Sequence, residues 1–297
     1  MSKFSDRYFN VDAKSFFQED GMNDELKNSI FNSIHVELLS PIEHLKRVVP
    51  SNGLAKRLIY ELYDSFFKKP VSEVKINISL LSKNIAYFIR HADWYQVYDI
   101  VEYLVQWVGK NLGDKFYSKS TPYGDFEKSG WHKSFVLSLN KKLQRENSVF
   151  RIVSDQVVKV TDPVEIDEIE NAVGSDNPYD GARTHLKTAL EILADRSQEN
   201  YRNSIKESIS AIESLARSVC GQDKGTLGAL LKEMEKKEII PEAMKSAYSK
   251  IYGFTSDASG IRHSLTDSDR PISYADAKYM LVVCSAFTSY VIEIMEK

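Results

Sequence analysis

Apolar residues recur at intervals of three and four positions along most of the chain, a period that predicts α-helices. The segment from Trp94 to Val108 has the broadest apolar surface, which predicts a helix at the centre of a first core. Other amphipathic segments predict a helix that begins at Asp24 and ends before Pro41, and helices over 54–67, 76–89 and 131–145.

The period changes near residue 150, where β-branched and aromatic residues form two short runs. Phe150–Val153 and Val157–Val160 flank Ser154-Asp155-Gln156, a pattern that predicts a β-hairpin with a three-residue loop. Next, Asp162-Pro163-Val164-Glu165 predicts a capping box that opens a short helix. Five further helices are predicted over 183–195, 201–220, 227–237, 241–252 and 274–296.

A turn-rich stretch, Gly174–Pro178, separates the two halves of the chain and gives the expected domain boundary. We expect a helical first domain over 1–177, which includes the hairpin near 149–160, and a helical second domain over 178–297. The length of 297 residues agrees with two domains. The predicted fold class is mainly α, with two helical domains and one small β-hairpin between them.

Composition and charge exclude several classes of protein. With 42% hydrophobic and 27% charged residues, the chain is not of the disordered type, and 13 glycines and 8 prolines are too few for a loop-rich all-β fold. Residues 1–145 carry a formal charge of +4 and the remainder carries −7. This excess of positive charge is too small for a strong duplex-DNA binder, so any contact with nucleic acid must be local.

The two cysteines, Cys220 and Cys284, fall on predicted helices and form no CxxC pair. We expect them to be buried free thiols in a reducing compartment. The first residues lack the pattern of a secretory leader, and no run approaches the roughly 18 apolar residues of a spanning helix. The expected location is therefore cytoplasmic, without membrane contact.

Common signatures of nucleotide binding and hydrolysis, such as GxGxxG, GxxxxGK[ST], HExxH and GxSxG, do not occur in the sequence. Gly221–Thr226 contains Gly and Lys, but it is predicted to be the end of one helix and the start of the next. The six histidines show no metal-ligand spacing. We expect neither a cofactor nor a metal.

One segment, Tyr252–Asp267, concentrates small and ionisable residues between two predicted helices. Adjacent Arg262 and His263 could hold a phosphate and move a proton near neutral pH, the two requirements of metal-free RNA cleavage. In the alternative interpretation the segment is a polar connection, in which Arg262 pairs with Asp257 or Asp267.

Several motifs resemble a known family. Phe4–Arg7 and Met22–Asn28 resemble the amino-terminal domain of AbiJ-type abortive-infection proteins of bacteria. Asn203–Ser214, Gly225–Gly228 and Ser256–His263 resemble, in the expected order, their carboxy-terminal HEPN-like helical domain.

The resemblance implies a C-terminal HEPN-like helical bundle that forms a homodimer, often with RNase activity against phage. Arg262 and His263 match the first two positions of the HEPN signature, whereas Asp267 stands where the catalytic histidine is expected. An aspartate ionises near pH 4, so it does not replace histidine as an acid at neutral pH. His263 would take that role, with Glu213 or Asp257 orienting the pair.

Three functions follow from these observations. The first is a metal-independent endoribonuclease that uses Arg262 and His263 across a dimer interface. The second, which the missing histidine favours, is a non-catalytic HEPN-like module that binds nucleic acid or dimerises while the amino-terminal domain senses a phage-derived trigger. The third is a structural or toxin-neutralising partner without a nucleic-acid role.

Overall fold

The computed structural model describes residues 18–48, 53–112, 130–174, 177–195, 200–222, 224–257 and 272–296. By packing, the chain divides into two compact units, Met1–Lys159 and Val160–Lys297. Helices dominate the described part of both units, which confirms the mainly α prediction. The division precedes the boundary expected after residue 177, because the helix that follows the hairpin packs within the second unit.

The first unit contains six α-helices among its described residues. They are α1 (Asp24–Ile34), α2 (Ser40–Val48), α3 (Leu54–Glu61), α4 (Ile78–His91), α5 (Trp94–Leu112) and α6 (Gly130–Arg145). Two π-helical turns, His35–Leu39 and Leu62–Phe66, continue α1 and α3, and Val71–Glu73 forms a short 3-10 turn. Helix α5 buries nine side chains, which confirms that it is central to this core.

The sequence predicted that the first helix ends before Pro41, but in the structure it does not end there. It continues through the π-turn His35–Leu39 into α2. The N–H of Ser40 donates to the carbonyl of His35, five residues earlier. Pro41, the next residue, has no backbone N–H and therefore needs no acceptor in the helix. The wider π-turn therefore lets the chain pass Pro41 without leaving the helix.

The β-hairpin forms, but its loop has two residues instead of the predicted three. Strands β1 (Arg151–Val153) and β2 (Gln156–Val158) pair antiparallel, with Val153 opposite Gln156. Ser154 and Asp155 both have positive φ, 46° and 66°, as in the type I′ turn whose twist matches that of paired strands. Asp tolerates this conformation better than most residues, which makes the shorter loop accessible.

The hairpin docks on α5 and α6 within the first unit. The side-chain amide of Asn140 on α6 bonds both the N–H and the carbonyl of Ile152 at 2.8 Å, as a neighbouring strand would. On the other strand, the N–H of Val157 donates to Glu102 of α5 at 2.7 Å. Both strands are thereby anchored to the helices of the first core.

The described part of the second unit consists of helices joined by short non-helical connections. Its helices are α7 (Pro163–Val173), α8 (Asp180–Ala194), α9 (Tyr201–Cys220), α10 (Leu227–Lys236), α11 (Glu242–Asp257) and α12 (Tyr274–Met295). Helix α9 contacts α8, α10, α11 and α12. Gly221 ends α9 in the left-handed conformation, φ 68°, and Thr226 caps α10, which confirms the predicted helix end and start.

Two predictions in this unit need correction. Asp162 caps α7 as predicted, but Glu165 does not complete a capping box, because its carboxylate accepts from Lys278 Nζ at 2.9 and 3.0 Å. The capping box lies instead at Ser273 at the start of α12. Helix α11 runs to Asp257, past the predicted end at Tyr252, so the first part of the suspected loop is helical.

Among the described residues, α12 is the one helix that is long and apolar enough to cross a membrane by length and composition. Eight of its side chains are buried in the second unit, and it packs against α7, α8 and α9. The core helix of a folded domain can have the same length and composition as a membrane-spanning helix. The contacts of α12 are those of a core helix. The cytoplasmic location stays a prediction.

Candidate functional site

Four of the five residues singled out in the sequence carry no described side chain. Arg262, His263 and Asp267 lie outside the described residues. Asp257 is the last residue of α11, and only its backbone is described. Glu213, on α9, is the fifth, and the geometry of the site can be built from it.

Glu213 lies on α9 at the edge of the core, as the helical spacing predicted, and its side chain is 18% exposed. Its Oε2 lies 3.7 Å from Nη2 of Arg217, one turn later on the same helix. Nε of Arg217 is buried and has no hydrogen-bond acceptor among the described residues. The pair therefore combines a carboxylate at the edge of the core with a guanidinium whose Nε is buried.

A second ionisable pair in this unit was not singled out from the sequence. Nδ1 of His185 on α8 lies 2.7 Å from Oε2 of Glu207 on α9, and both side chains are partly exposed. A carboxylate on one ring nitrogen orients the imidazole and leaves Nε2 as the nitrogen for proton transfer. The two residues are far apart in sequence, so only the packing of α8 on α9 reveals the pair.

The first unit contains a cavity of about 530 Å³ beside the π-turn Leu62–Phe66. We call it the π-turn pocket. It is lined by Ile59, Tyr63, Lys69, Pro70, Glu73, Val74, Lys75, Asn77, Leu80, Leu81 and Asn84.

Polar groups of the π-turn pocket come from three neighbouring elements. Tyr63 lies in the π-turn, and its phenolic oxygen accepts from Nδ2 of Asn84 on α4 at 2.6 Å. Lys69 and Lys75 lie on the segment between the π-turn and α4. Lys68 has a positive φ of 52° and ends the helix just before Lys69, whose N–H donates to the carbonyl of Tyr63 at 2.9 Å. Sequence spacing gave no sign of this pocket.

The two cysteines are buried free thiols, as predicted. Burial raises the pKa of both thiols, which disfavours the nucleophilic thiolate. Among the residues described, no three His, Cys, Asp or Glu side chains come together as metal ligands.

The sequence was compared with known families and proteins. Residues 2–175 match the family model described as AbiJ N-terminal domain 4. Comparison with curated proteins and with solved structures gives no match. The matched segment covers more than half of the chain and all of the first packing unit beyond its first residue. The chain therefore belongs to the AbiJ N-terminal domain 4 family, a membership that indicates abortive-infection defence against phage.

Proposed function

We propose that the second unit is a degenerate HEPN-like module, which acts in anti-phage defence by binding nucleic acid or by dimerising. The family membership of residues 2–175 supports the defence role. The helical second unit supports the bundle that the HEPN resemblance implies. In this proposal the first unit senses a phage-derived trigger, and the partner of the second unit is RNA, a second copy of the chain, or both.

One observation carries the proposal. The motif run Asn203–Ser214, on which much of the HEPN resemblance depends, lies within α9, the helix that contacts α8, α10, α11 and α12. The motif is thus part of the central helix of its unit, where a family-defining segment is expected. Glu213, at the end of this run, keeps its carboxylate at the edge of the core instead of inside it.

The alternative proposal is a metal-independent endoribonuclease that uses Arg262 and His263. It draws support from ionisable pairs on α8 and α9. His185 and Glu207 form a partly exposed dyad, and Glu213 pairs with Arg217. Such side chains can transfer a proton or stabilise charge on a phosphate near neutral pH. Replacement of the expected histidine by Asp267 favours the binding module over the nuclease.

The chain offers a matched control for the test, because it has a second Arg-His dipeptide. Arg90 and His91 end α4 in the first unit and are exposed. We would measure binding of a short fluorescent single-stranded RNA by anisotropy, and cleavage of bulk tRNA with a chelator present. The variants are Arg262→Ala and His263→Ala, with Arg90→Ala and His91→Ala as controls.

The binding module predicts saturable RNA binding without cleavage. Arg262→Ala should weaken it by about fivefold or more because a phosphate contact is lost, and Arg90→Ala should leave it unchanged. Cleavage that disappears in Arg262→Ala and His263→Ala but persists in the controls would establish the nuclease instead. A strictly monomeric chain that does not bind RNA, as measured by light scattering and anisotropy, would refute both proposals.

A further inference from the structure

The backbone around the π-turn pocket adopts rare conformations at two adjacent places. The π-turn Leu62–Phe66 inserts an extra residue into the end of α3, and such turns are frequent at functional sites. Lys68 follows directly with a positive φ of 52°, and the N–H of Lys69 donates to the carbonyl of Tyr63 at 2.9 Å, so this left-handed residue ends the helix as a C-cap. The π-turn and this helix end place Tyr63 and Lys69 on the pocket.

The hydrogen-bonding groups of the pocket favour an anion. The phenolic oxygen of Tyr63 already accepts from Asn84, and its own proton has no acceptor among the described residues. Within the part of the chain that is described, Lys69 and Lys75 form no ion pair. Glu73 is the one carboxylate among the lining residues. Tyr63, Lys69 and Lys75 thus bring donors to the pocket, Lys69 with its Nζ 6.0 Å from the centroid of the Phe67 ring, and the two cations outnumber the single carboxylate.

Much of the remaining lining is apolar. Pro70, Val74 and Leu80 form a partly exposed wall, whereas Ile59 and Leu81, 1% and 2% exposed, belong to the core of the first unit. Leu80 is 40% exposed. Small-molecule sites commonly combine such an apolar wall with a few polar groups.

From this combination we propose that the π-turn pocket binds a nucleotide-type ligand. Lys69 and Lys75 hold its phosphates, with the Tyr63 hydroxyl as a further donor, and the apolar wall receives the planar base. The cavity of about 530 Å³ lies within the usual range for small-molecule sites. The site lies wholly in the first unit, so this proposal can be tested independently of the RNA-binding role proposed for the second unit.

Calorimetry on the full chain tests the site, with ADP as the probe and with pyrophosphate and adenosine as its two halves. We expect ADP to bind more tightly than either half, because only ADP uses both the cations and the apolar wall. Lys69→Gln and Lys75→Gln should each weaken ADP binding about three- to tenfold. Lys110→Gln, which removes the same charge from an exposed position on α5, should leave ADP binding unchanged. Glu73→Gln should tighten binding, because it removes a negative charge from the pocket.

Any of four results would overturn the proposal. These are no saturable binding of ADP, equal binding of adenosine or pyrophosphate, ADP affinity that both Lys→Gln variants leave unchanged, and weaker binding by Glu73→Gln. Tryptophan fluorescence of each variant checks that the first unit is folded, since all three tryptophans, Trp94, Trp107 and Trp131, belong to it. RNA binding by the second unit is a separate measurement, so either proposal can fail without the other.

Discussion

The carboxylate of Glu61 serves two contacts that differ sharply in burial, and their energies can be separated by mutation. Its Oε2 accepts from the indole Nε1 of Trp107 at 2.7 Å, and Trp107 is only 4% exposed. Its Oε1 accepts from Nε of Arg57 at 2.8 Å, but the Arg57 side chain is 52% exposed. The first contact satisfies a buried donor, and the second is a surface ion pair between residues one helical turn apart.

Glu61→Ala leaves the buried indole N–H of Trp107 without its acceptor, which costs about 1–3 kcal/mol. It also removes the pair with Arg57, worth about 0.3–0.5 kcal/mol on a helix surface. Arg57→Ala removes only the second contact. We therefore expect Glu61→Ala to lower the free energy of unfolding of the first unit at least three times as much as Arg57→Ala. Glu61→Gln keeps an acceptor for the indole and should fall between them.

Urea unfolding followed by tryptophan fluorescence measures this difference in the first unit alone, because all three tryptophans lie in it. Added salt provides a second check, since it should weaken the effect of Arg57→Ala and leave most of the Glu61→Ala effect intact. Equal losses for Glu61→Ala and Arg57→Ala would refute the reasoning. So would a loss below about 0.5 kcal/mol for Glu61→Ala, because the indole donor would then be satisfied in another way.

Three further predictions concern the two cores. Phe135→Ala should destabilise the first unit by about 3–5 kcal/mol, whereas Leu137→Ala on the exposed side of α6 should cost less than about 0.5 kcal/mol; similar urea midpoints for the two variants would contradict the helix orientation. Burial raises the pKa of Tyr98 to about 12, above the value near 10 in the unfolded chain. Between these two pKa values the folded state keeps a proton that the unfolded state loses. The free energy of unfolding should therefore fall as pH rises from 10 to 12. The fall should reach about 2 kcal/mol and be smaller in Tyr98→Phe, and equal pH profiles would refute the assignment. Cys220 and Cys284 should react slowly with iodoacetamide near pH 8 in the folded chain and rapidly after unfolding. Mass spectrometry measures the labelling, and fast labelling of the folded chain would contradict their burial.

Helix positions could be predicted because they depend on local periodicity, and the central role of α5 followed from its broad apolar surface. Two of the errors occurred where a contact between distant segments decided the outcome. Glu165 pairs with Lys278 on α12 and not with its own helix end. The two-residue turn at Ser154 and Asp155 is held in part by Gln106 of α5, which donates to the Asp155 carbonyl at 3.3 Å.

The candidate sites also differ in whether local spacing or contacts between helices determine them. Glu213 was placed correctly at the edge of the core, because its position depends only on the helical period of α9. The pair of His185 and Glu207 joins two helices, and the spacing of residues within either helix does not reveal it. Arg262 and His263 remain a sequence prediction, which the RNA experiments test directly.

The sequence by itself determined the mainly helical class, the caps of α7 and α10, the burial of both cysteines, and the AbiJ-type membership. These properties follow from local periodicity, from side chains that bond their own helix ends, and from the motifs Phe4–Arg7 and Met22–Asn28, which resemble the AbiJ-type amino-terminal domain. Only the tertiary structure decided that the hairpin docks on α5 and α6, that α7 packs within the second unit, and that the π-turn and α4 enclose a pocket. Each of these depends on contacts between segments far apart in the chain, whose energies no local pattern encodes.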